Sequence, residues 1–484
     1  MEALFDGSLG TGTLLLLVLS LVIAFGFEFV NGFHDTANAV ATVIYTRSLR
    51  PWTAVILSGI CNFLGVFVGG IAVALSIINL LPVELLVANG TGAGLAMLLA
   101  LLLAAITWNL GTWYFGLPSS SSHTLIGAIV GVGLANSMLP GHEFGAGVNW
   151  AKAGDVGLAL LISPLVGFTL AALLLLAARK LIRDPQLYRP PVGTRPPPPW
   201  IRTVLIGTCT GVSFAHGSND GQKGMGLIML ILIGVLPTAY ALNRAMPDSA
   251  IPPFLSASTQ VAGVLDQRAG GVAAADPRAE VAGFLRSRTL TPAVVPSLAS
   301  LVRGIEAQVR ESGSLRQVPA AVVQNTRNDM YMVAEALRHL NRAVFSPDDA
   351  ALLQRYRGDL DTATRFIPTW VKLAVAIALG LGTMVGWKRI VVTVGEKIGK
   401  QHLTYAQGAS AELVAAVTIA AADVYGLPVS TTHVLSSGVA GTMAANRSGL
   451  QMSTVRNLAL AWVLTLPAAI LLAGSLFWLF VQIS

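Results

Sequence analysis

The chain reads GLPSSSSH at residues 116–123 and GLPVSTTH at residues 426–433, a constant 310 positions apart (426 minus 116). In each copy a glycine and a proline, which interrupt helices, precede several small residues, most of which carry hydroxyl groups, and a histidine. Apolar sequence surrounds both copies. A polar interruption that occurs twice inside apolar sequence is typical of the binding site of a membrane transporter.

The composition places most of the chain in a membrane. Of its 484 residues, 54% are hydrophobic and only 11% are charged, whereas about a quarter of the residues in a soluble protein are charged. Because several apolar runs approach the roughly 20 residues that cross a bilayer, we predict an all-α polytopic membrane protein with about 10–12 membrane segments. Its expected location is the plasma membrane, the inner membrane of a bacterium, which it crosses many times.

The loop charges predict how the two polar copies enter the membrane. Basic residues cluster in four short loops, around residues 47–50, 179–202, 388–400 and 447–456, and the positive-inside rule makes these loops cytoplasmic. The net charge of +7 is therefore explained without a nucleic-acid partner. Counting spans from these loops, the first copy enters the membrane from outside and the second from the cytoplasm. This predicts an inverted-topology repeat with two re-entrant hairpins, whose non-helical tips line a cavity.

A second pair of motifs supports the repeat. FVNGFHDTAN at residues 29–38 aligns with FAHGSNDGQK at residues 214–223, at an offset of 185 (214 minus 29). Each copy places one aspartate, Asp35 or Asp220, inside an apolar run. Because an ionised carboxylate at membrane depth is costly, an intramembrane aspartate indicates a functional site. We therefore expect each half to contain a broken helix with an aspartate, followed by a hairpin with a hydroxyl-rich tip.

With these motifs the chain resembles the inorganic phosphate transporter (Pit) family. The resemblance rests on NGFHDTANA at residues 31–39, HGSND at residues 216–220 and the two GLP tips, and it covers nearly all of the chain outside a central insertion. It is closest to the bacterial low-affinity members. For these the resemblance implies symport of phosphate with protons, often as a neutral divalent metal phosphate, at a site near the membrane midplane.

The candidate site residues follow from their chemistry. A tetrahedral oxyanion requires many short donors, and helix N-termini bind anions. The predicted phosphate-binding residues are Ser119, Ser120, Ser121, Ser122, Ser430, Thr431 and Thr432. Carboxylates repel an anion, so they are assigned to the coupling ion together with neutral ligands: Asp35, Asn38, Asn219, Asp220, Gln222 and Glu412. Histidine titrates near neutral pH, and the proton-relay candidates are His34, His123, His216 and His433.

The coupling ion separates this chain from the sodium-coupled branch. The resemblance implies that members of that branch have a motif similar to NDVAN at both aspartates, whereas the second motif here reads NDGQK and ends in Lys223. A fixed ammonium group disfavours sodium, so we favour protons. A sodium-coupled phosphate symporter and a permease for sulfate or another oxyanion remain the alternatives, and a divalent metal is expected to be able to accompany phosphate.

Other classes of protein explain the sequence less well. An intramembrane hydrolase would use a serine with a histidine and an aspartate, but the chain has no Gly-x-Ser-x-Gly or His-Glu-x-x-His motif, and an enzyme does not need two inverted copies of its site. A passive anion channel does not need two buried aspartates. We therefore predict a transporter without catalytic residues, resident metal or cofactor. Its oligomeric state is open, and a homodimer is one alternative.

Composition also divides the chain into regions. The first transmembrane repeat spans residues 1–183, and a proline-rich cytoplasmic linker follows at residues 184–199. The second repeat occupies residues 200–243 and 367–484. Between these two parts, residues 244–366 contain many more charged residues, and turn residues separate their helical patterns. We predict that residues 244–366 form a soluble extracytoplasmic insertion, whose role the sequence does not indicate.

Overall fold

The computed structural model describes residues 10–35, 37–78, 92–140, 144–145, 148, 150–193, 195–269, 272–287, 289–340 and 345–483. At a few helical positions, including residues 37 and 38, only the backbone is described. Within these ranges the chain forms helices and turns and no β-strand, apart from one isolated bridge between Gly399 and Leu450. The predicted all-helical fold is therefore confirmed.

The described residues form two compact units. The membrane unit consists of Thr11–Ile231 and Ile367–Ser484, and the second unit contains Leu232–Phe366. All of the predicted site residues belong to the membrane unit. The finer predicted bounds, including the linker at residues 184–199 and the insertion at residues 244–366, stay a prediction.

The helices are numbered in chain order. Before the second unit they are α1 Thr11–Asp35, α2 Ala37–Tyr45, α3 Pro51–Val68, α4 Ala72–Ile78, α5 Gly92–Tyr114, α6 Ser121–Ser137, α7 Trp150–Leu181 and α8 Pro199–Val235. The second unit then contains α9 Pro237–Tyr240, α10 Ile251–Gln267, α11 Pro277–Ser287, α12 Val294–Ser312, α13 Val323–His339 and α14 Pro347–Thr364. The membrane unit resumes with α15 Thr369–Thr383, α16 Lys388–Val392, α17 Tyr405–Val424, α18 Thr431–Ala445 and α19 Met452–Ile483.

Several helices have the length and composition of membrane spans. In the described part of the chain these are Thr11–Tyr45, Pro51–Val68, Ala96–Tyr114, Ala153–Leu181 and Met452–Ile483. Their outward-facing residues are large and apolar, as on the lipid-facing side of a membrane helix; in α7, for example, Leu161 is 67% and Leu165 is 64% exposed. The chain is therefore a multi-pass membrane protein. The predicted total of about 10–12 segments stays a prediction, because helices α8 and α17, which carry Asp220 and Glu412, and the short helices after the tips lie outside this set.

The prediction of a broken helix at Asp220 is wrong. Helix α8 runs without interruption from Pro199 to Val235 and contains Asp220 in its middle. The Asp220 carboxylate contacts His216 one turn before it and Lys223 one turn after it on the same helix. The backbone therefore does not have to unwind to supply partners for Asp220. In the first copy, α1 ends at Asp35 and α2 begins at Ala37, while Thr36 lies outside the described residues.

Glycines allow α1 and α15 to approach closely. Gly32 of α1 faces the carbonyl oxygen of Leu379, and Gly382 of α15 faces the carbonyl oxygen of Phe29. A Cβ atom on either glycine would overlap the facing oxygen. The contact therefore brings backbone against backbone, as is common between membrane helices with small residues at their interface.

Helices α3 and α8 make an equivalent contact. Gly217 of α8 faces the carbonyl oxygen of Asn62, and Gly65 of α3 faces that of Phe214. Gly217 and Phe214 of α8 follow Gly32 and Phe29 of α1 by 185 positions (217 minus 32 and 214 minus 29). Asn62 and Gly65 of α3 precede Leu379 and Gly382 of α15 by 317 positions (379 minus 62 and 382 minus 65). The same four-residue contact thus occurs twice, with the order of the two helices along the chain exchanged.

The helices that follow the two tips also pack alike. Helix α6 packs against α19, where Gly131 faces the carbonyl oxygen of Ile470, and α18 packs against α7, where Gly441 faces the carbonyl oxygen of Phe168. Gly131 and Gly441 are 310 positions apart (441 minus 131), which is the offset of the tips. Both partner helices contain 32 residues and an internal proline, at residues 164 and 467.

Changing Gly65 or Gly382 to Ala is expected to destabilise the membrane unit by about 1–3 kcal/mol, because each added methyl group would overlap a backbone oxygen that cannot rotate away. Thermal unfolding of the purified protein in detergent measures the effect. The matched control is Gly207→Ala in α8, where no atom lies within 4 Å of the added Cβ. An equal loss of stability in all three variants would contradict this interpretation.

The second unit has a hydrophobic core of its own. Its largest buried side chains include Phe254 and Tyr356, whose ring centroids lie 5.6 Å apart. A bidentate ion pair joins Arg278 to Asp329, with distances of 2.7 and 2.8 Å. Burial also lowers the pKa of the Arg327 guanidinium to about 10. The charged residues that distinguish this part of the sequence thus partly form ion pairs within the unit.

Candidate functional site

The two tips are built in the same way. Gly116 and Gly426 adopt left-handed backbone conformations, with φ of 65° and 64°, which residues with a Cβ rarely adopt. Each is followed by a leucine whose backbone N–H donates to the carbonyl five residues earlier, at 2.9 Å in both tips. Ser120 and Ser430 then begin α6 and α18: the side-chain oxygen of each accepts a hydrogen bond from the backbone N–H three residues on, at 3.1 Å. The helix N-termini therefore start at matching positions.

The tip hydroxyl groups are closed off from solvent. Every predicted phosphate-binding residue is buried, and none is more than 6% exposed: Ser119, Ser120, Ser121, Ser122, Ser430, Thr431 and Thr432. Ser119 donates to Thr112 at 3.1 Å and Ser122 donates to the Val429 carbonyl in the other tip at 2.8 Å. The Thr431 hydroxyl is buried with no hydrogen-bond partner in the described part of the chain. The structure thus holds the two tips together in a closed arrangement.

Asp35 connects the two tips. It is the last residue of α1 and is 3% exposed. Ser121 of the first tip donates to Asp35 Oδ2 at 2.5 Å, and Thr432 of the second tip donates to Asp35 Oδ1 at 3.0 Å. His34 Nδ1 also lies 2.7 Å from Asp35 Oδ1. A single carboxylate therefore receives hydroxyl groups from two segments that are more than 300 residues apart in sequence (432 minus 121).

Asp220 and Lys223 form a buried ion pair beside this carboxylate. Lys223 Nζ lies 2.6 Å from Asp220 Oδ1, and neither residue is exposed to solvent. The ammonium group also donates to Ser122 Oγ at 2.5 Å. Since an isolated buried charge is costly, the pairing and the extra hydrogen bond stabilise both groups at this depth. Lys223 thereby joins α8 to the first tip.

Three ligand-type atoms converge between these groups. Oxygen or nitrogen atoms of Asp35, His216 and Asp220 all lie within 4.8 Å of one another, and the three residues are buried. His216 Nε2 is 3.4 Å from Asp220 Oδ2, and its Nδ1 is 2.7 Å from Asn62 Oδ1. The cluster therefore combines two carboxylates with an imidazole, which are groups that bind protons or a small cation.

Other predicted coupling-ion residues lie apart from this cluster or touch only a tip. Asn219 donates to the Leu427 carbonyl in the second tip at 3.2 Å. Gln222 points away, donating to Asp423 Oδ1 at 2.5 Å and accepting from the Val73 N–H at 2.8 Å. The side chain of Asn38 lies outside the described residues.

Glu412 belongs to a separate buried cluster. Its Oε2 accepts a hydrogen bond from Thr208 at 2.5 Å, and its Oε1 accepts one from Thr42. Thr42 belongs to α2, Thr208 to the first half of α8 and Glu412 to α17. The structure therefore does not bring Glu412 into hydrogen-bond contact with Asp35 or Asp220.

The candidate relay histidines fall into two groups. His34 and His216 contact the carboxylates directly, whereas His123 and His433 stack on each other with ring centroids 4.6 Å apart. Trp462 of α19 stacks on His433 at 4.2 Å and donates to the Pro118 carbonyl at 2.9 Å. The stacked histidines thus help to pack the two tips together, one turn beyond the cap residues.

Thr112, Asp423 and Lys223 contact predicted site residues but were not themselves among them. Thr112 lies 3.1 Å from His34 Nε2 and accepts from Ser119. Asp423 accepts hydrogen bonds from Gln222 and from Ser218, both at 2.5 Å. The sequence does contain a signal for two of them: Asp423 is an acidic residue in an apolar run, and Lys223 replaces a neutral residue. Thr112 carries no such signal, because an isolated threonine in a membrane helix most often bonds to its own backbone.

The arrangement combines the groups needed to hold an anion and its counter-charge. The tips contribute hydroxyl donors and two helix N-termini, which attract anions, and Lys223 contributes a positive charge. Asp35 and Asp220 give the cluster a net charge of about −1 when Lys223 is charged and the histidines are neutral. This net negative charge disfavours entry of an anion on its own.

Comparisons with known proteins identify the family of the chain. The phosphate transporter family matches residues 31–192 and 186–473. The chain is 43% identical to the low-affinity inorganic phosphate transporter PitA of Escherichia coli strain K12, over 99% of each protein, and 41% identical to PitB of the same strain, over 98% of each. A probable low-affinity inorganic phosphate transporter of Bacillus subtilis is 30% identical over 94% of each protein.

A solved structure shares the fold. It is described as the sodium-dependent phosphate transporter, and it matches 97% of this chain and 100% of its own chain with a TM-score of 0.52 at 20% sequence identity. At that identity the match establishes the arrangement of the helices alone. The two family matches together span most of the sequence and include both tips and both aspartates. The chain therefore belongs to the phosphate transporter family.

Proposed function

We propose that this protein transports inorganic phosphate across the membrane by symport with protons. The observation that carries the proposal is the contact of Lys223 with both Asp220 and Ser122, which places a fixed positive charge at the first tip. Membership of the family and the printed names of the relatives support phosphate as the cargo.

The tips supply the donors that a phosphate requires. When the tips separate from Asp35, Ser121 and Thr432 are released to donate to an oxyanion, and the unpartnered Thr431 hydroxyl adds another donor. The backbone N–H groups in the first turns of α6 and α18, which Ser120 and Ser430 cap, are further candidate donors to the anion. In this proposal Asp35 competes with phosphate for the same hydroxyl groups.

Electrostatics favours protons over sodium as the coupling ion. Lys223 Nζ already lies 2.6 Å from Asp220 Oδ1, so a cation bound at this carboxylate would lie beside the ammonium group. A sodium ion would meet the repulsion of the ammonium group at short range. A proton can bind instead to Asp35 or His216, whose ligand atoms lie in the same cluster.

The proposed inverted repeat is supported by the duplicated packing. The backbone contact of α1 with α15 has the same register as that of α8 with α3, and α6 on α19 corresponds to α18 on α7. Such exchanged contacts are expected when two halves of opposite topology interlock around one site. In this arrangement each half contributes one tip, and we retain the proposal that residues 244–366 are an extracytoplasmic insertion.

Uptake of labelled phosphate into proteoliposomes tests the proposal. A pH difference of about one unit supplies ~1.4 kcal/mol per coupled proton, enough for about tenfold accumulation at one proton per phosphate. We expect accumulation with an inwardly directed proton gradient and none with an inwardly directed sodium gradient alone. The reverse result would establish the sodium-coupled alternative.

The same assay separates the candidate cargoes. Uptake measured with and without magnesium tests whether a divalent metal phosphate is the transported species, in which case uptake rises with the metal. Excess unlabelled arsenate is expected to compete with phosphate, and sulfate is expected not to. Competition by sulfate equal to that by arsenate would support the general oxyanion permease.

A further inference from the structure

Helix α1 carries a buried carboxyl group without hydrogen bonds. Glu28 is fully buried, and neither of its carboxyl oxygens makes a hydrogen bond within the described residues. One turn further along, the fully buried side-chain amide of Asn31 is close enough to act on the carboxyl group, although neither side chain makes a hydrogen bond of ordinary geometry within the described residues. Glu28 has no role in the site described above, yet an ionised carboxylate in such surroundings would be strongly destabilised.

The carboxyl group lies against α8 next to the buried ion pair. Gly224, which follows Lys223, faces the end of the Glu28 side chain, and a Cβ atom on that glycine would overlap the carboxyl group. The Glu28 side chain therefore fits against α8 only because residue 224 is a glycine. The glutamate is thus placed one residue from the lysine that contacts the first tip.

The charged groups around Glu28 are few. Asp220 and Lys223 on α8 and Asp35 on its own helix act on it electrostatically. The neighbouring helices α2 and α5 contain no acidic or basic side chain, α6 contributes His123, and α15 contributes only the partly exposed Lys372. Glu28 therefore interacts chiefly with the same two carboxylates and ammonium group that form the candidate site.

We propose that Glu28 is a second proton-binding site of the transporter, coupled to the ion pair of Asp220 and Lys223. The proposal rests on proton symport. In the closed arrangement Glu28 holds a proton, which its carboxylate takes from bulk water on one side of the membrane. When the arrangement opens to the other side, that proton returns to water and the carboxylate is left to pair with Lys223. The shared lysine then makes proton release and opening of the first tip depend on each other.

The effect of Glu28→Gln on coupling tests this proposal. In proteoliposomes, exchange of labelled for unlabelled phosphate at equal pH needs no net proton movement. The exchange rate of Glu28→Gln is therefore expected to stay within about twofold of that of the unchanged protein. Its accumulation of phosphate driven by a pH gradient is expected to fall at least about tenfold. The number of protons taken up per phosphate should also decrease. Asp155→Asn, which removes an exposed carboxylate from α7, is the matched control and should change none of these quantities.

Two outcomes overturn the proposal. One is full pH-driven accumulation by Glu28→Gln with an unchanged proton-to-phosphate ratio. The other can arise if Glu28→Gln loses exchange as well. Glu28→Asp, which keeps a titrating carboxyl group, should then support both exchange and accumulation. If Glu28→Asp supports neither, Glu28 has a role in packing alone. If the unchanged protein shows exchange but no pH-driven accumulation, proton symport itself is wrong, so the two failures are distinguishable.

Discussion

Lys223→Gln is expected to abolish phosphate uptake and to destabilise the membrane unit by about 3–5 kcal/mol, because Asp220 is left buried without its positive partner. The expected losses of stability and of uptake have different causes. Lys223 neutralises Asp220 at 2.6 Å, and it also donates to Ser122 at 2.5 Å. Thermal unfolding in detergent measures the first effect, and phosphate exchange in proteoliposomes measures the second.

The double variant Lys223→Gln with Asp220→Asn separates these two causes. Removing both charges eliminates the unpaired carboxylate, so stability is expected to return to within about 1 kcal/mol of the unchanged protein. Transport is not expected to return, since the positive charge beside the first tip is still missing. Phosphate exchange by the double variant at the normal rate would contradict the role of Lys223 in binding the anion.

Asp35→Asn is expected to eliminate accumulation of phosphate driven by a pH gradient. The asparagine can still accept a hydrogen bond from Ser121 or Thr432, but it cannot bind a proton in this pH range. Losing a carboxylate that receives hydroxyl groups from both tips should reduce accumulation by at least about 100-fold. Uptake by proteoliposomes with an inwardly directed proton gradient is the measurement.

The control for Asp35→Asn is again Asp155→Asn, which removes an exposed carboxylate from the same unit. Exchange of phosphate at equal pH shows whether the Asp35 variant still folds and binds its cargo. The proposed coupling would be wrong if accumulation persisted in a protein with both Asp35→Asn and Asp220→Asn.

Some of the site could be predicted from the sequence because its residues stand out against their surroundings. Asp35 and Asp220 are acidic residues in apolar runs, and the tips repeat a rare combination of glycine, proline and hydroxyl residues. The structure places these groups together at hydrogen-bond distance. These residues stand out in the sequence, because polar groups are costly in a lipid environment and are therefore rare in membrane segments unless they have a function.

The placement of other side chains could not be predicted from the sequence, because it depends on which way each side chain points. Gln222 was expected at the coupling ion, but on the continuous helix α8 it faces Asp423 and α4. A break at Asp220 would have changed the helical register at that point. The uninterrupted helix instead places Gln222 two residues from Asp220, on a different face.

The sequence by itself determined that the chain is an all-helical membrane protein with two matching tips and two buried aspartates. Composition and local motifs suffice for this, because the cost of exposing backbone to lipid leaves helices as the default and makes each polar exception visible. Only the tertiary structure decided which groups meet: that Ser121 and Thr432 share Asp35, that Lys223 contacts the first tip, and that the Glu28 side chain lies against Gly224. These contacts join residues up to 397 positions apart, and their distances depend on how glycine contacts set the separation of the helices.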